Sequence, residues 1–158
     1  ETHGKIEIRE YSEYVVAKTS IKKGDSQLNT SMFRTLAGYI FGGNDESRSI
    51  PMTAPVITND TESEYTMMFF MLDVESPDQL PAPYNANISL ETFEIGKTIS
   101  ITFGLWANDS RIEYYKNILD EHIKNNHIQV ESSLMVAQYN SPYAVPPFRK
   151  NELIYIIR

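Results

Sequence analysis

Apolar and polar residues alternate over the first twenty residues, in two runs separated by a polar break. In "KIEIREY", Ile6 and Ile8 alternate with charged residues, and "YVVAKTSI" follows after Ser12 and Glu13. Successive side chains of a strand point to opposite faces, so a period of two predicts strands. We therefore expect the chain to open with a hairpin of two strands.

A helical pattern comes next, because apolar residues now recur three and four positions apart. Asp25 or Ser26 would cap this helix, and the pair Gly42–Gly43 is typical of its end. The pattern predicts one helix with a single buried face, formed by Leu28, Met32, Phe33, Leu36, Ala37 and Ile40.

The order of elements then repeats. "SIPMTAPVITND" and "EYTMMFFML" predict two strands, and the polar, proline-containing "ESPDQLPAPYNAN" is typical of a surface connection. After it, "ISLETFEI" and "KTISITFGLW" predict two strands. A second helix, capped by Asp109 or Ser110, would end near Asn126. Its apolar stripe is Ile112, Tyr115, Leu119 and Ile123. "SLMVAQY" and "ELIYIIR" predict the last two strands.

The predicted fold class is α+β, with duplicated ββαββ halves that form a distorted, mostly antiparallel β-barrel with two flanking helices. Neither half could bury its helix and sheet face alone, and closing the strands hides their edges. We expect one domain over residues 1–158, with pseudo-repeats at about 5–72 and 87–158. A chain of 158 residues is long enough for such a core.

The amino-acid composition argues against some classes of binding partner. The 21 acidic and 14 basic residues give a formal charge of -7, which repels phosphate backbones, so we expect no nucleic-acid partner. No apolar run approaches the roughly 18 residues of a membrane span, so we expect no direct membrane insertion. We expect a monomer. Its location is left open, cytoplasmic or extracytoplasmic after loss of an N-terminal leader or anchor.

The sequence shows few of the residue arrangements that catalytic sites use. The chain has no cysteine and no G-x-S-x-G elbow, and Glu7 and Arg9 are interpreted as a solvated sheet face. His122 and His127 would lie about 140° apart around a helix, which does not suit a zinc pair. His122 borders the apolar stripe of the second helix, so it is either a haem ligand or a partly buried, hydrogen-bonded histidine. We predict that the protein is not an enzyme.

The loop "SPYAVPPFRKNE" offers apolar groups from Tyr143, Val145 and Phe148, and its prolines limit its conformational freedom. Arg149 and Lys150 follow at its end. Cations at the mouth of an apolar groove would suit a flat ligand that carries carboxylates. The alternative is a rigid connection between strands in which Arg149 is paired with an acidic residue.

Four segments together resemble the haem-binding SOUL family, especially its bacterial-type members, over about residues 5–157. They are "IEIREYSEYVVAKT", "FRTLAGYIFGGND", "IPMTAPVIT" and "AQYNSPYAVPPFRKNEL". The resemblance implies a pseudo-symmetric barrel that binds haem or another tetrapyrrole, a small planar hydrophobic ligand, without catalysis. Carriage, buffering or sensing would be its role, and "IPMTAPV" would be a scaffold strand. The implied ligand contacts are Phe33, Arg34 and Ala37 from the first helix and Tyr143, Val145, Phe148 and Arg149 from the last loop.

The chain also departs from the resemblance. Some family members carry basic residues in the groove, at positions that correspond here to Gly38 and Val145, and no histidine lies within the matching segments. An alternative is a gyrase-inhibitor-like effector-binding module for other small hydrophobic ligands, which a buried glutamate in the cleft would favour. A partner-binding scaffold is a further alternative.

Overall fold

A computed structural model describes residues 4–22, 29–50, 55–61, 63–71, 74–139 and 150–158, with the backbone alone for residues 29–31. Among these residues, no helix is both long enough and apolar enough to cross a membrane. One 3₁₀ turn lies at Pro77–Gln79. The strands and α-helices are β1 (Lys5–Lys22), α1 (Asn29–Ile40), β2 (Val56–Asp60), β3 (Glu64–Met71), β4 (Ile88–Gly104), α2 (Asp109–Asn125), β5 (Met135–Gln138) and β6 (Lys150–Ile156).

These strands form a closed barrel in the order β1-β3-β2-β5-β6-β4. The ladders β1–β3, β2–β3, β4–β6 and β5–β6 are antiparallel. The structure therefore confirms the predicted α+β class, with an antiparallel barrel and two helices.

The predicted opening hairpin is wrong, because β1 is a single strand of 18 residues that runs straight through Ser12 and Glu13. Both of these residues are exposed, so strand continuation leaves them in water at no burial cost. The predicted strands "ISLETFEI" and "KTISITFGLW" are likewise one strand, β4, which passes through Gly96 at a φ of 71°. Glycine adopts this conformation without a steric penalty, so it does not end the strand.

The chain divides into two compact units, one of residues 13–94 and one of residues 1–12 with 95–158. The boundaries fall inside β1 and β4, so each unit holds one helix and segments of four strands. The extent of a single domain over 1–158 and the limits of its pseudo-repeats stay predictions.

In the unit of residues 13–94, α1 packs on one face of the β1–β3 ladder. Ala17 lies opposite Phe69, and their face of the ladder meets Leu36 and Ile40. Alternation along the strands and the helical spacing of α1 thus bring two apolar faces together. Tyr39 belongs to the same core, and its hydroxyl donates a 2.7 Å hydrogen bond to the carbonyl oxygen of Pro81.

In the other unit, α2 packs on the β4–β6 ladder. Its buried residues Tyr115, Leu119 and Ile123 belong to one core cluster with Phe103 and Leu153, which confirms three members of the predicted stripe. The helix cap differs from the prediction. The cap is Asn108, whose side-chain oxygen accepts a 2.9 Å hydrogen bond from the backbone N–H of Arg111. Asparagine is among the preferred capping residues, so it replaces Asp109 or Ser110 in this role.

Candidate functional site

The predicted ligand contacts on α1 differ in how much surface they present. Phe33 is half-buried and meets the ring of Phe69 edge-on, with 5.5 Å between the centroids. Arg34 is exposed, and so is Gly38 one turn later. Ala37 is only 9% exposed, so it offers little surface to a ligand. Phe33 is therefore partly covered by the core, whereas Arg34 is exposed.

The predicted contacts from the last loop, Tyr143, Val145, Phe148 and Arg149, lie outside the described residues. Residues 51–54 of the "IPMTAPV" segment lie outside them as well. On either side of this gap, Ile50 and Ile57 are buried, at 9% and 2% exposure. The interpretation of the segment as scaffold stays a prediction.

His122 lies near the end of α2 and is half-buried, beside the buried residue Ile123. Its backbone carbonyl accepts hydrogen bonds from the backbone and side chain of Asn126. In the part of the chain that the structure describes, no group of three or more His, Cys, Asp or Glu could hold a metal ion. His122 as a haem ligand is thus a prediction that rests on a single imidazole.

A buried charged cluster lies in the unit of residues 1–12 and 95–158, centred on Glu152. This residue is 0% exposed and lies on β6 opposite Thr102 of β4. One carboxylate oxygen accepts hydrogen bonds from Ser100 Oγ (3.2 Å) and Thr102 Oγ1 (3.4 Å). The other oxygen accepts a hydrogen bond from the Tyr139 hydroxyl. Glu152 is thus a buried carboxylate with three hydroxyl donors from its own unit.

Arg9 neutralises this carboxylate. Its Nη1 lies 3.3 Å from Glu152 Oε1 and its Nη2 lies 3.1 Å from Glu152 Oε2. The same guanidinium donates to Glu7 and to the hydroxyl of Tyr11, the latter over 2.9 Å. About 30% of the Arg9 side chain is exposed, so the pair has a buried acid and a partly hydrated base.

The charges of the cluster shift the ionisation of its members. Burial alone would lower the pKa of Arg9, but its hydrogen bonds to Tyr11 and Glu7 and the charge of Glu152 raise it. Hydrogen bonds from Lys5 and Arg9 lower the pKa of Glu7 to about 2. Burial, and then the hydrogen bond to Glu152, raise the pKa of Tyr139, so its hydroxyl stays a donor at neutral pH.

The other unit fills the corresponding position differently. The long strand ends opposite the first residue of its partner in both units, Lys22 opposite Glu64 and Gly104 opposite Lys150. Two positions inward, Thr102 lies opposite Glu152 in one unit. In the other, Ser20 lies opposite Thr66, with 3.0 Å between their hydroxyl oxygens. The Ser20–Thr66 pair is exposed whereas Glu152 is buried, so the two positions differ in both chemistry and burial.

The sequence interpretation missed this cluster. It placed Glu7 and Arg9 on a solvated sheet face, whereas both are only partly exposed and bonded to each other. The available signal was Glu152 itself, a charged residue in the otherwise apolar strand "ELIYII". Its partner Arg9 was not predictable, because the two residues come from opposite ends of the chain.

These features define an α+β barrel protein with one helix in each of two units and a buried ionic cluster in one of them. The chain belongs to the SOUL family, because the family model described as "SOUL heme-binding protein" matches residues 1–156. This family is haem-binding, which confirms the resemblance found in the sequence. No curated protein matched the chain.

Solved structures share the fold at low sequence identity. A hydrolase from Listeria innocua is 12% identical, with a TM-score of 0.69 over 100% of this chain and 94% of its own. The EcmrR C-terminal domain is 9% identical, with a TM-score of 0.71 over 98% of both chains. SAV2435 bound to tetraphenylphosphonium is 7% identical, with a TM-score of 0.52 over 98% of this chain and 94% of its own.

Proposed function

We propose that the protein binds haem or a related tetrapyrrole without catalysing a reaction, for carriage, buffering or sensing. The observation that carries this proposal is the haem-binding family match over residues 1–156. The ligand would lie in an apolar groove near α1 and the last, proline-rich loop. The absence of enzymatic activity, a monomeric state and the absence of a nucleic-acid partner belong to the same proposal.

The side chains on α1 fit such a ligand. The half-buried ring of Phe33 would pack on the flat apolar face of the tetrapyrrole, and the exposed guanidinium of Arg34 would reach its carboxylates. Bound haem would supply a redox-active iron, for which His122 is the proposed ligand. The proposed set of contacts is completed by Ala37 on α1 and by Tyr143, Val145, Phe148 and Arg149 from the last loop.

A titration with haemin, followed by the Soret band, tests the proposal. We expect a saturable shift with one haemin per chain, and a dissociation constant raised about tenfold by Phe33→Ala, as for a central aromatic contact. The matched control is Phe41→Ala, because Phe41 is another phenylalanine near the end of α1 and is 70% exposed. If micromolar haemin gives no saturable shift, haem is not the ligand of this protein.

The role of His122 is tested in the same titration. If the imidazole binds the iron, His122→Ala changes the position of the Soret band of the complex. His127→Ala is the control, since this histidine is exposed. An unchanged band in His122→Ala would exclude His122 as ligand while leaving binding by the groove intact.

A second function is favoured by one specific observation, the buried carboxylate of Glu152. A buried ion pair adds little net stability compared with apolar packing, so a charge retained at this depth favours a binding role. We propose as the alternative that the protein is an effector-binding module for a small hydrophobic cation held by Glu152. SAV2435, of similar fold, is described as bound to the hydrophobic cation tetraphenylphosphonium.

In this alternative the cation would take the place of Arg9. After the cation has displaced Arg9 from Glu152, the guanidinium would still be paired with Glu7. Glu7 also accepts its hydrogen bonds and is ionised above a pH of about 2. Arg9→Gln is therefore expected to tighten binding of a hydrophobic monocation, while Glu152→Gln abolishes it.

Calorimetric titration with tetraphenylphosphonium measures both effects. Glu131→Gln is the matched control, since Glu131 is an exposed glutamate paired with Arg158. Binding that is indifferent to Glu152→Gln would exclude this carboxylate as the cation site.

A further inference from the structure

Two side chains hold the turn that joins β4 to α2. Asn151 Nδ2 donates hydrogen bonds to the carbonyl oxygens of Leu105 (2.9 Å) and Phe103 (3.4 Å). Arg111 Nη2 donates to the carbonyl oxygen of Gly104 over 3.0 Å. Three consecutive carbonyls, from the end of β4 into the turn, are thus bound by one amide group and one guanidinium group.

The turn is strained as well as held. Leu105 has a φ of 64°, in the left-handed region that a leucine side chain disfavours. Such a conformation persists only where surrounding contacts impose it, and the bonds from Asn151 and Arg111 are those contacts. The side chains of Asn151 and Arg111 therefore hold the backbone geometry of this turn.

Asn151 and Arg111 each have one buried polar atom that lacks a hydrogen-bond partner. In the described part of the chain, Asn151 Oδ1 and Arg111 Nε are buried without a hydrogen-bond partner. Asn151 as a whole is only 1% exposed, so bulk water does not reach its amide oxygen. An unpaired buried polar atom is unfavourable, and native proteins seldom keep one without a specific reason.

Both side chains lie on the same side of the sheet. Asn151 is the direct β-partner of Phe103, and partners in a ladder point to the same face. The Arg111 guanidinium carbon lies 5.9 Å from the centroid of the Phe103 ring and 5.6 Å from that of Tyr115. Asn151 and Arg111 therefore flank Phe103 on the face that α2 covers.

The two unsatisfied atoms have opposite requirements, which defines what could bind them. Arg111 Nε carries a hydrogen and needs an acceptor, whereas Asn151 Oδ1 needs a donor. An anion would satisfy the arginine and repel the amide oxygen, and a metal cation would do the reverse. A neutral group that both accepts and donates satisfies both.

We propose that Arg111 and Asn151 form a binding site for one neutral hydroxyl group, occupied by a single ordered water molecule. The water accepts a hydrogen bond from Arg111 Nε and donates one to Asn151 Oδ1. It fastens the first turn of α2 to the adjoining ends of β4 and β6. This inference is independent of the proposed haem function, since it concerns no residue of that site.

A high-resolution crystal structure of the unmodified chain tests the site directly. We expect one solvent peak within about 3 Å of both Arg111 Nε and Asn151 Oδ1. Two unconnected peaks, no peak, or a protein atom hydrogen-bonded to Arg111 Nε or Asn151 Oδ1 would overturn the proposal. A bromide soak separates water from an adventitious ion, and an anomalous peak at the site would overturn the neutral assignment.

Solution NMR gives a second, independent readout. A long-lived water is expected to give a nuclear Overhauser effect to the Arg111 Nε hydrogen in the unmodified protein and to lose it in Asn151→Leu. The matched control is Asn117→Leu, because Asn117 is an exposed asparagine on α2. A signal that survives Asn151→Leu, or one that is missing from the unmodified protein, would contradict the bridge.

Discussion

Arg9 and Glu152 are 143 positions apart in the sequence, and Arg9 Nη2 lies 3.1 Å from Glu152 Oε2. The contact joins the first strand of the chain to the last one within a single compact unit. It also places the only fully buried carboxylate of the described residues next to a partly exposed guanidinium.

Replacing Glu152 is expected to cost more stability with leucine than with glutamine. Glutamine keeps an acceptor for the Tyr139 hydroxyl but loses the charge and the acceptor oxygen used by Ser100 and Thr102, for which about 2 kcal/mol of unfolding free energy is expected. Leucine leaves the hydroxyls of Tyr139, Ser100 and Thr102 short of an acceptor, so about 3 kcal/mol is expected. Urea unfolding measures both values. A leucine variant as stable as the unmodified protein would mean that apolar packing fully replaces the ionic cluster.

Adding a basic residue to α1 is expected to strengthen haem binding. Gly38 is exposed, one turn after Arg34, and a side chain added there meets no atom within 4 Å. Gly38→Arg would supply the groove cation found in some members of the family, and an exposed ion pair is worth up to about 1 kcal/mol, or about fivefold in affinity. Haemin titration measures the gain. The control Gly38→Ala should leave the affinity unchanged, and equal gains in both variants would exclude a charge effect.

At Gly43, by contrast, an added side chain is expected to lower the stability of the protein. A Cβ atom at Gly43 would lie 2.6 Å from the carbonyl oxygen of Gly38, which also accepts the backbone hydrogen bond of Gly43. Gly43→Ala must therefore shift the backbone, at a cost of about 1 to 3 kcal/mol of unfolding free energy. Gly38→Ala is the control and should gain about 1 kcal/mol through helix propensity. Thermal or urea unfolding compares the two, and a neutral Gly43→Ala would show that the turn adapts freely.

Alkaline pH is expected to destabilise the unit that contains α2. Burial, and then the hydrogen bond to Asp120, raise the pKa of Tyr155 from 10.0 to about 12. Below pH 10 both the folded and unfolded states hold the proton, so the full contribution is present. As the pH rises from about 10 to about 12, the unfolded state releases its proton first, and on the order of 2 kcal/mol of stability is lost.

Urea unfolding at several pH values tests this dependence. Tyr155→Phe should make stability fall less steeply between pH 10 and 12, but not abolish the fall, because the pKa of Tyr139 is raised as well. Tyr114→Phe is the control, since Tyr114 is exposed on α2, the helix that carries Asp120. An alkaline slope that is the same in Tyr155→Phe and the unmodified protein would contradict the assignment.

Part of the candidate site was predictable from the sequence and part was not. The helical pattern placed Ala37 on the buried face of the first helix, and the structure agrees, because Ala37 is only 9% exposed. A local pattern does not show which distant segments cover a charged residue. Glu152 was overlooked for that reason, since its depth is set by β4 and β5 on either side.

By itself, the sequence determined the periods of the elements and hence the α+β class. A period of two or of 3.6 residues is visible in a short stretch of sequence, because it follows from local backbone geometry. The tertiary structure alone decided that β1 and β4 continue as long strands and that Arg9 meets Glu152. Whether a polar stretch turns or continues depends on the strand that pairs with it. That choice is made by contacts between residues far apart in the chain, which no local pattern encodes.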